Sequence, residues 1–290
     1  MRLISFEEQG QAKIGVIQGT EAKAFVDLSI AAPNLPRDMT SLLAMSGGLE
    51  AAKQAATQAA ANAIKPLAGV RFLPLVPRPG KVVCLGLNYA DHAKEGGHAR
   101  PEYPGFFMRG ATSLGAHQQP IIRPKASTKL DYEAELAVVI GKQARHLSKG
   151  NALDCVAGYT CCNDGSVRDY QRKSSQWTIG KNFDQTGPLG PWLVTPDELP
   201  PGAAGLRIQS RLNGKIMQDA NTSDFLWNVA ESLVIITECM TLEPGDVIIT
   251  GTPAGVGYAR TPPVWMAPGD VCEIDIESIG VLSNTIADEV

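Results

Sequence analysis

At 290 residues, 44% hydrophobic and 19% charged, the chain has the composition of an ordinary globular protein with room for one large core or two smaller ones. Its formal net charge of −4 gives no electrostatic reason to expect nucleic acid or an anionic membrane as a partner. No apolar run is long enough to span a bilayer, and the opening Met1–Glu8 turns acidic before a signal-peptide core can form, so a cytoplasmic protein is expected.

The first segment, residues 1–72, reads as a small α+β domain. Short alternating stretches at Arg2–Phe6, Lys13–Gln18 and Lys23–Asp27 predict strands between Gly-containing turns. An Ala-rich stretch from about Ser41 to Ala63 predicts a helix capped by Thr40 or Ser41, with Gly47-Gly48 weakening its first turn. Prolines 66, 74, 77 and 79 then punctuate the chain, and residues 73–80 are read as a linker.

Residues 81–290 form the second predicted domain, which is mainly β. Lys81–Leu87, Glu135–Ile140, Leu206–Leu212, Asp246–Thr250 and Val271–Ile276 are short apolar or alternating runs bounded by Gly, Pro and Asp. Asp224–Cys239 is the one long helix predicted here, with Thr222 or Ser223 as its cap and Phe225, Val229, Leu233 and Ile236 at helical spacing. The six cysteines show no C-x-x-C pair and read as reduced thiols. Cys161 and Cys162 would face opposite sides of a strand.

Several acids stand out. Glu133 and Glu135 lie two apart before an apolar run, so an extended backbone points both to one face. Near a core, two such carboxylates need protonation or a cation, and oxygen ligands suit Mg²⁺, Mn²⁺ or Ca²⁺. Taken alone, E-x-E is more often a solvated strand face. Asp164 follows a predicted strand, with Arg168 and Gln171 one short turn on, yet Asn-Asp-Gly is also a common turn. The Gly-rich stretch Gly255-Val256-Gly257 lacks the third glycine of a dinucleotide fingerprint and the Lys-Ser/Thr of a phosphate loop.

Five blocks in order turn these fragments into a pattern. Asn88–Glu95 resembles the N-Y-x-x-H-x-x-E segment of the fumarylacetoacetate hydrolase family, and Asp131–Glu135 its D-Y-E-x-E strand. Asn163–Gln171 is similar to its N-D-x-S-x-R-D-x-Q segment, Gly180–Asp184 to its G-K-x-F-D segment and Thr250–Gly257 to its T-G-T-P-x-G-V-G loop. The chain departs from the usual pattern at Gly165 and Val167, which would alter pocket shape rather than ligands.

The resemblance implies a mixed β-sandwich roll, a homodimer, and a metal held by Glu133, Glu135 and Asp164. It makes His92 and Glu95 a water-activating pair on a lid, and Lys181 a charge that steadies an enolate. It assigns Arg168, Gln171 and Thr252 to the carboxylate of a 2-oxo acid. His98, His117 and His146 have no comparable partner in sequence, while Arg109 and Ser113 are weaker candidates for the pocket wall. The expected reaction is hydrolysis of a C–C bond in a β-diketo acid of the acylpyruvate type, with aromatic catabolism as its setting. The alternative is tautomerisation, isomerisation or decarboxylation of a 2-oxo acid such as oxaloacetate, and Arg260–Trp265 looks like the tautomerase branch. A non-catalytic binding or structural protein would be expected to have lost some of these positions, and here all are filled.

Overall fold

The computed structural model describes residues 1–97, 99 and 101–290, so the reading of His98 lies outside the described residues. The N-terminal part carries strands β1 (Arg2–Glu8), β2 (Gln11–Gln18), β3 (Ala24–Asp27), β4 (Ile64–Pro66) and β5 (Arg71–Phe72). Between β3 and β4 run helices α1 (Leu28–Ala31), α2 (Met39–Ala44) and α3 (Gly48–Thr57). The single helix expected over 41–63 is therefore two. Gly47 takes a left-handed φ of 70° and breaks the run, Asp38 rather than Thr40 or Ser41 caps α2, and α3 stops at Thr57.

Beyond residues 73–80, where Leu75 and Val76 are buried, come β6 (Val82–Gly86), α4 (Ala90–Glu95), β7 (Gly105–Met108), β8 (Leu114–Ala116) and β9 (Ile121–Arg123). Next are β10 (Leu130–Asp131), β11 (Ala134–Ile140), β12 (Val156–Asn163), β13 (Ser166–Val167), α5 (Arg168–Gln171), α6 (Thr178–Lys181) and β14 (Gly187–Val194). The chain finishes with β15 (Arg207–Leu212), β16 (Lys215–Asn221), α7 (Val229–Cys239), β17 (Val247–Ile249), β18 (Val271–Ile276) and β19 (Gly280–Asp288).

Helix α7 starts later than expected. Asn228 and Glu231 form its capping box, and the chain before it bends away from the helical path after a 3-10 turn at Thr222–Asp224, with Leu226 and Trp227 donating backbone N–H groups to Asn88. A tertiary contact thus overrides the local periodicity that put the helix start at Asp224.

Among the described residues, twelve strands make one sheet along the order β4-β3-β2-β1-β14-β12-β11-β17-β6-β7, with β5 on β1 and β8 on β14. A second sheet runs β16-β15-β18-β19-β9 and packs over its central strands. This is the mixed β-sandwich with few helices that the sequence implied. The central strands are buried on both faces. Leu136, Val138 and Ile140 of β11 face the second sheet, whereas Ala137 and Val139 face a core with α2, β6 and β17. Cys161 and Cys162 divide between the same two cores, and the six thiols are free.

A candidate metal centre at one end of the buried strands

The period of β11 places the acids. Glu135 continues the stripe of Ala137 and Val139, and Glu133 precedes it with the same parity, so both reach the sheet face shared with Cys84 of β6 and Ile249 of β17. Across the antiparallel pair, Glu135 stands opposite Cys162 and Ala134 opposite Asn163. One step on, Asp164 donates its backbone N–H to the carbonyl of Glu133 at 2.9 Å. The three carboxylates therefore converge by register alone. They are buried, and one oxygen of each lies within 4.8 Å of the others.

Their charges are compensated unequally. Lys181, on α6 and only 2% exposed, donates to Glu133 Oε2 at 2.6 Å and to Asp164 Oδ2. Arg168 Nη2 lies 2.7 Å from Glu133 Oε1, and Arg109 Nη1 binds Asp164 Oδ1. Glu135 accepts a backbone N–H from Gly251, and no Lys or Arg nitrogen among the described residues reaches ion-pair distance of it. Burial pushes the carboxyls of Glu133 and Glu135 upward alike. Lys181 and Arg168 overcome this at Glu133 and hold it low, whereas the neighbouring Asp164 and Glu133 charges drive Glu135 further up. A buried carboxylate with no cation of its own, beside two others, fits a hard divalent ion. Oxygen lone pairs left by the lysine and arginines are the donors such an ion takes.

The remaining candidates gather round this point. A cavity of about 280 Å³ is lined by Glu133, Glu135 and Asp164 together with His92, Arg168, Gln171, Lys181 and Thr252. His92 and Glu95 share α4, with His92 Nδ1 3.1 Å from Glu95 Oε1, so Nε2 is left for the cavity. Both Glu95 oxygens accept the N–H of Gly255, at 3.0 and 2.9 Å, which ties the helix to the loop after β17. Arg168 Nη1 donates to Gln171 Oε1 at 2.9 Å, and the amide nitrogen of Gln171 stays uncommitted among the described residues. Thr252 reaches the cavity with its hydroxyl proton directed at the carbonyl of Ala134, 3.0 Å away.

Sequence spacing left several supports unnoticed. Arg109, expected at most as a pocket wall, lies behind Asp164. It is fully buried and also held by Ser113 at 3.2 Å and Thr186 at 2.9 Å. Asp131 accepts from Arg168, Gly257 and Tyr258 at 2.7, 2.8 and 3.0 Å, fixing the arginine against the loop. Asn88 bridges Thr250 and Trp227. Gln218 joins the N–H of Ala134 to Thr252 and Pro253, each at 2.8–2.9 Å, and nothing around it in sequence marks it. Gly165 is not a shape variant of the pocket, because a Cβ there would sit 2.1 Å from the carbonyl oxygen of Thr186. His117 stands apart, packed edge-on against Phe72 and accepting the N–H of Ser283.

The whole arrangement has parallels in known proteins. Residues 81–287 match the family model described as fumarylacetoacetate (FAA) hydrolase C-terminal. The chain belongs to the fumarylacetoacetate hydrolase family. It is 39% identical to a mitochondrial oxaloacetate tautomerase of Bos taurus over 292 residues, covering 99% of this chain and 91% of that protein. Among solved structures, a fumarylacetoacetate hydrolase from Exiguobacterium antarcticum superposes with a TM-score of 0.84 at 34% identity, each chain covered in full. A maleylpyruvate hydrolase from Sphingobium sp., solved with manganese(II) ion and pyruvate, superposes with a TM-score of 0.82 at 30% identity, again over both whole chains. Proteins named as tautomerases and as hydrolases are thus among the relatives of this chain, and one of them was solved with both a divalent metal and a 2-oxo acid.

Proposed function

We propose that this chain is a Mg²⁺- or Mn²⁺-dependent enzyme that forms the enolate of a 2-oxo acid at the Glu133–Glu135–Asp164 site. The observation that carries the reading is the buried, cation-poor Glu135 beside two other carboxylates, in a cavity whose wall also holds the His92–Glu95 pair. A divalent ion bound there supplies Lewis-acid stabilisation of developing negative charge on the keto oxygen. Lys181 and Arg168 add fixed positive charge, already oriented by Glu133, Asp164 and Asp131. Gln171 offers its amide N–H groups to the substrate carboxylate, and Thr252 shapes the floor beside it. Glu95 fixes the tautomer and direction of the His92 ring, so that Nε2 takes or returns the proton at the carbon next to the keto group.

Two reactions share that step. Tautomerisation of a 2-oxo acid such as oxaloacetate needs one base and a stabilised enolate, both of which these residues supply. The identity of 39% over nearly the whole chain to a protein named for that reaction supports it. Hydrolysis of an acylpyruvate, the reaction expected from sequence, also requires a water held between His92 and the distal carbonyl. The likeness to the maleylpyruvate hydrolase supports that second reading. We place tautomerisation first because it asks for fewer groups. Product analysis with oxaloacetate and acylpyruvates side by side separates them, and full turnover by metal-stripped protein would overturn both. The proposal extends to a cytoplasmic homodimer, which light scattering showing a monomer would contradict.

A further inference from the structure

Arg168 and Arg172 sit side by side at the cavity, and only one of them is neutralised. Arg168 is buried against Asp131 and Glu133. Arg172, at the end of α5, also lines the cavity, but no carboxylate among the described residues lies within ion-pair distance of it. What it touches is an aromatic face. The guanidinium carbons of Arg168 and Arg172 each lie 4.5 Å from the ring centroid of Tyr258. A ring attracts a cation only weakly at an exposed site, which steers a guanidinium without balancing its charge. Arg168 already has two carboxylates, so Arg172, exposed at the rim, is the guanidinium left free among the described residues to take an anion.

The rest of the wall shows which anion fits. On the reading above, the carboxylate end of a 2-oxo acid is provided for by Arg168 and Gln171. Around the remaining space stand the apolar Leu85, Leu87, Phe107 and Trp177, with Ser174 and Ser175 as neutral polar groups. Arg172 is the one cationic side chain of the cavity wall, among the described residues, that is not already paired. We infer that Arg172 is a specificity residue that receives a second carboxylate, at the far end of the substrate, so that the site prefers dicarboxylic 2-oxo acids to monocarboxylic ones. The inference rests on the 2-oxo acid reading above and holds whichever of the two reactions follows.

The test uses the Mn²⁺-loaded protein and calorimetric titration with matched pairs of four- and five-carbon 2-oxo acids, one of each pair ending in a carboxylate and the other in a methyl group. Wild type is expected to bind the dicarboxylic member of at least one pair about ten- to a hundred-fold more tightly, the range for one charge-assisted hydrogen bond. Arg172→Met is expected to reduce that preference to less than about three-fold, and Arg172→Lys to keep part of it. In turnover the loss appears in KM more than in kcat, because the contact is remote from the reacting carbon. Binding of both members without preference, or an unchanged preference in Arg172→Met, overturns the inference and leaves the 2-oxo acid reading standing. Failure of wild type to bind either member with Mn²⁺ present overturns both.

Discussion

Lys181 Nζ donates to Glu133 Oε2 at 2.6 Å, so the ammonium shares its carboxylates with the ion that the triad fits. The lysine is a neighbour of that ion in charge and a rival for its ligands. Substituting Lys181→Met is therefore expected to lower turnover by about a hundred-fold or more while leaving Mn²⁺ affinity undiminished or a few-fold tighter. Calorimetric titration with Mn²⁺ beside steady-state kinetics checks this. A marked loss of metal affinity would show that the lysine organises the ligands instead.

Glu135 carries the least compensated of the three charges. Replacing it with Gln keeps an acceptor for the Gly251 N–H and removes a buried anion. The metal-free variant is expected to melt no lower than wild type. At a metal concentration a hundred times the dissociation constant, wild type gains about 2.7 kcal/mol, a rise of several degrees that the variant should lack. Melting curves with and without Mn²⁺ read both effects.

Behind the site, Arg109 is paired with Asp164, and both side chains are buried. Arg109→Met leaves that carboxylate short of a partner and strips donors from Thr186 and Ser113. A loss of about 3–5 kcal/mol is expected, the range for breaking a buried pair. Added Mn²⁺ should restore part of it by giving Asp164 another cation, which denaturant titration in the two conditions would show.

His117 provides a pH signature independent of the site. Burial lowers its pKa from 6.5 to about 4, and its Nδ1 is engaged as an acceptor by Ser283. Above pH 6.5 the ring is neutral in both folded and unfolded chains. As pH falls from 6.5 toward 4, the unfolded chain takes up a proton that the folded one refuses, so stability drops by about 3 kcal/mol across that window. His117→Asn should flatten this part of the stability–pH curve by about one proton, measured by denaturant unfolding at stepped pH.

The strands were legible because their signals are local. Alternation over Arg2–Phe6 and Val271–Ile276, with Gly and Pro at the ends, marks strands wherever they pack. The helices misread in sequence broke for identifiable reasons: Asn88 ties the bend at residues 226 and 227, and Gly47 turns the chain between α2 and α3. At the site, the parity of Glu133 and Glu135 could be read, but their meeting with Asp164 depends on the β11–β12 register, which no spacing in one strand reveals. The ordered motifs supplied it by resemblance. Arg109 could be read only as a candidate for the pocket wall, and Gln218 not at all, because their partners lie 55 and 84 residues away and neither belongs to a motif.

The two bonds from Glu95 to Gly255 act as an interlock. The carboxylate that aligns His92 is also the latch holding α4 to the loop that carries Thr252. Any excursion that frees the helix must break this latch first, and because His92 and Glu95 ride on the same helix the pair would leave the carboxylate triad together. An open mouth would thus carry the base away from the triad, whereas the latched helix keeps it at the cavity.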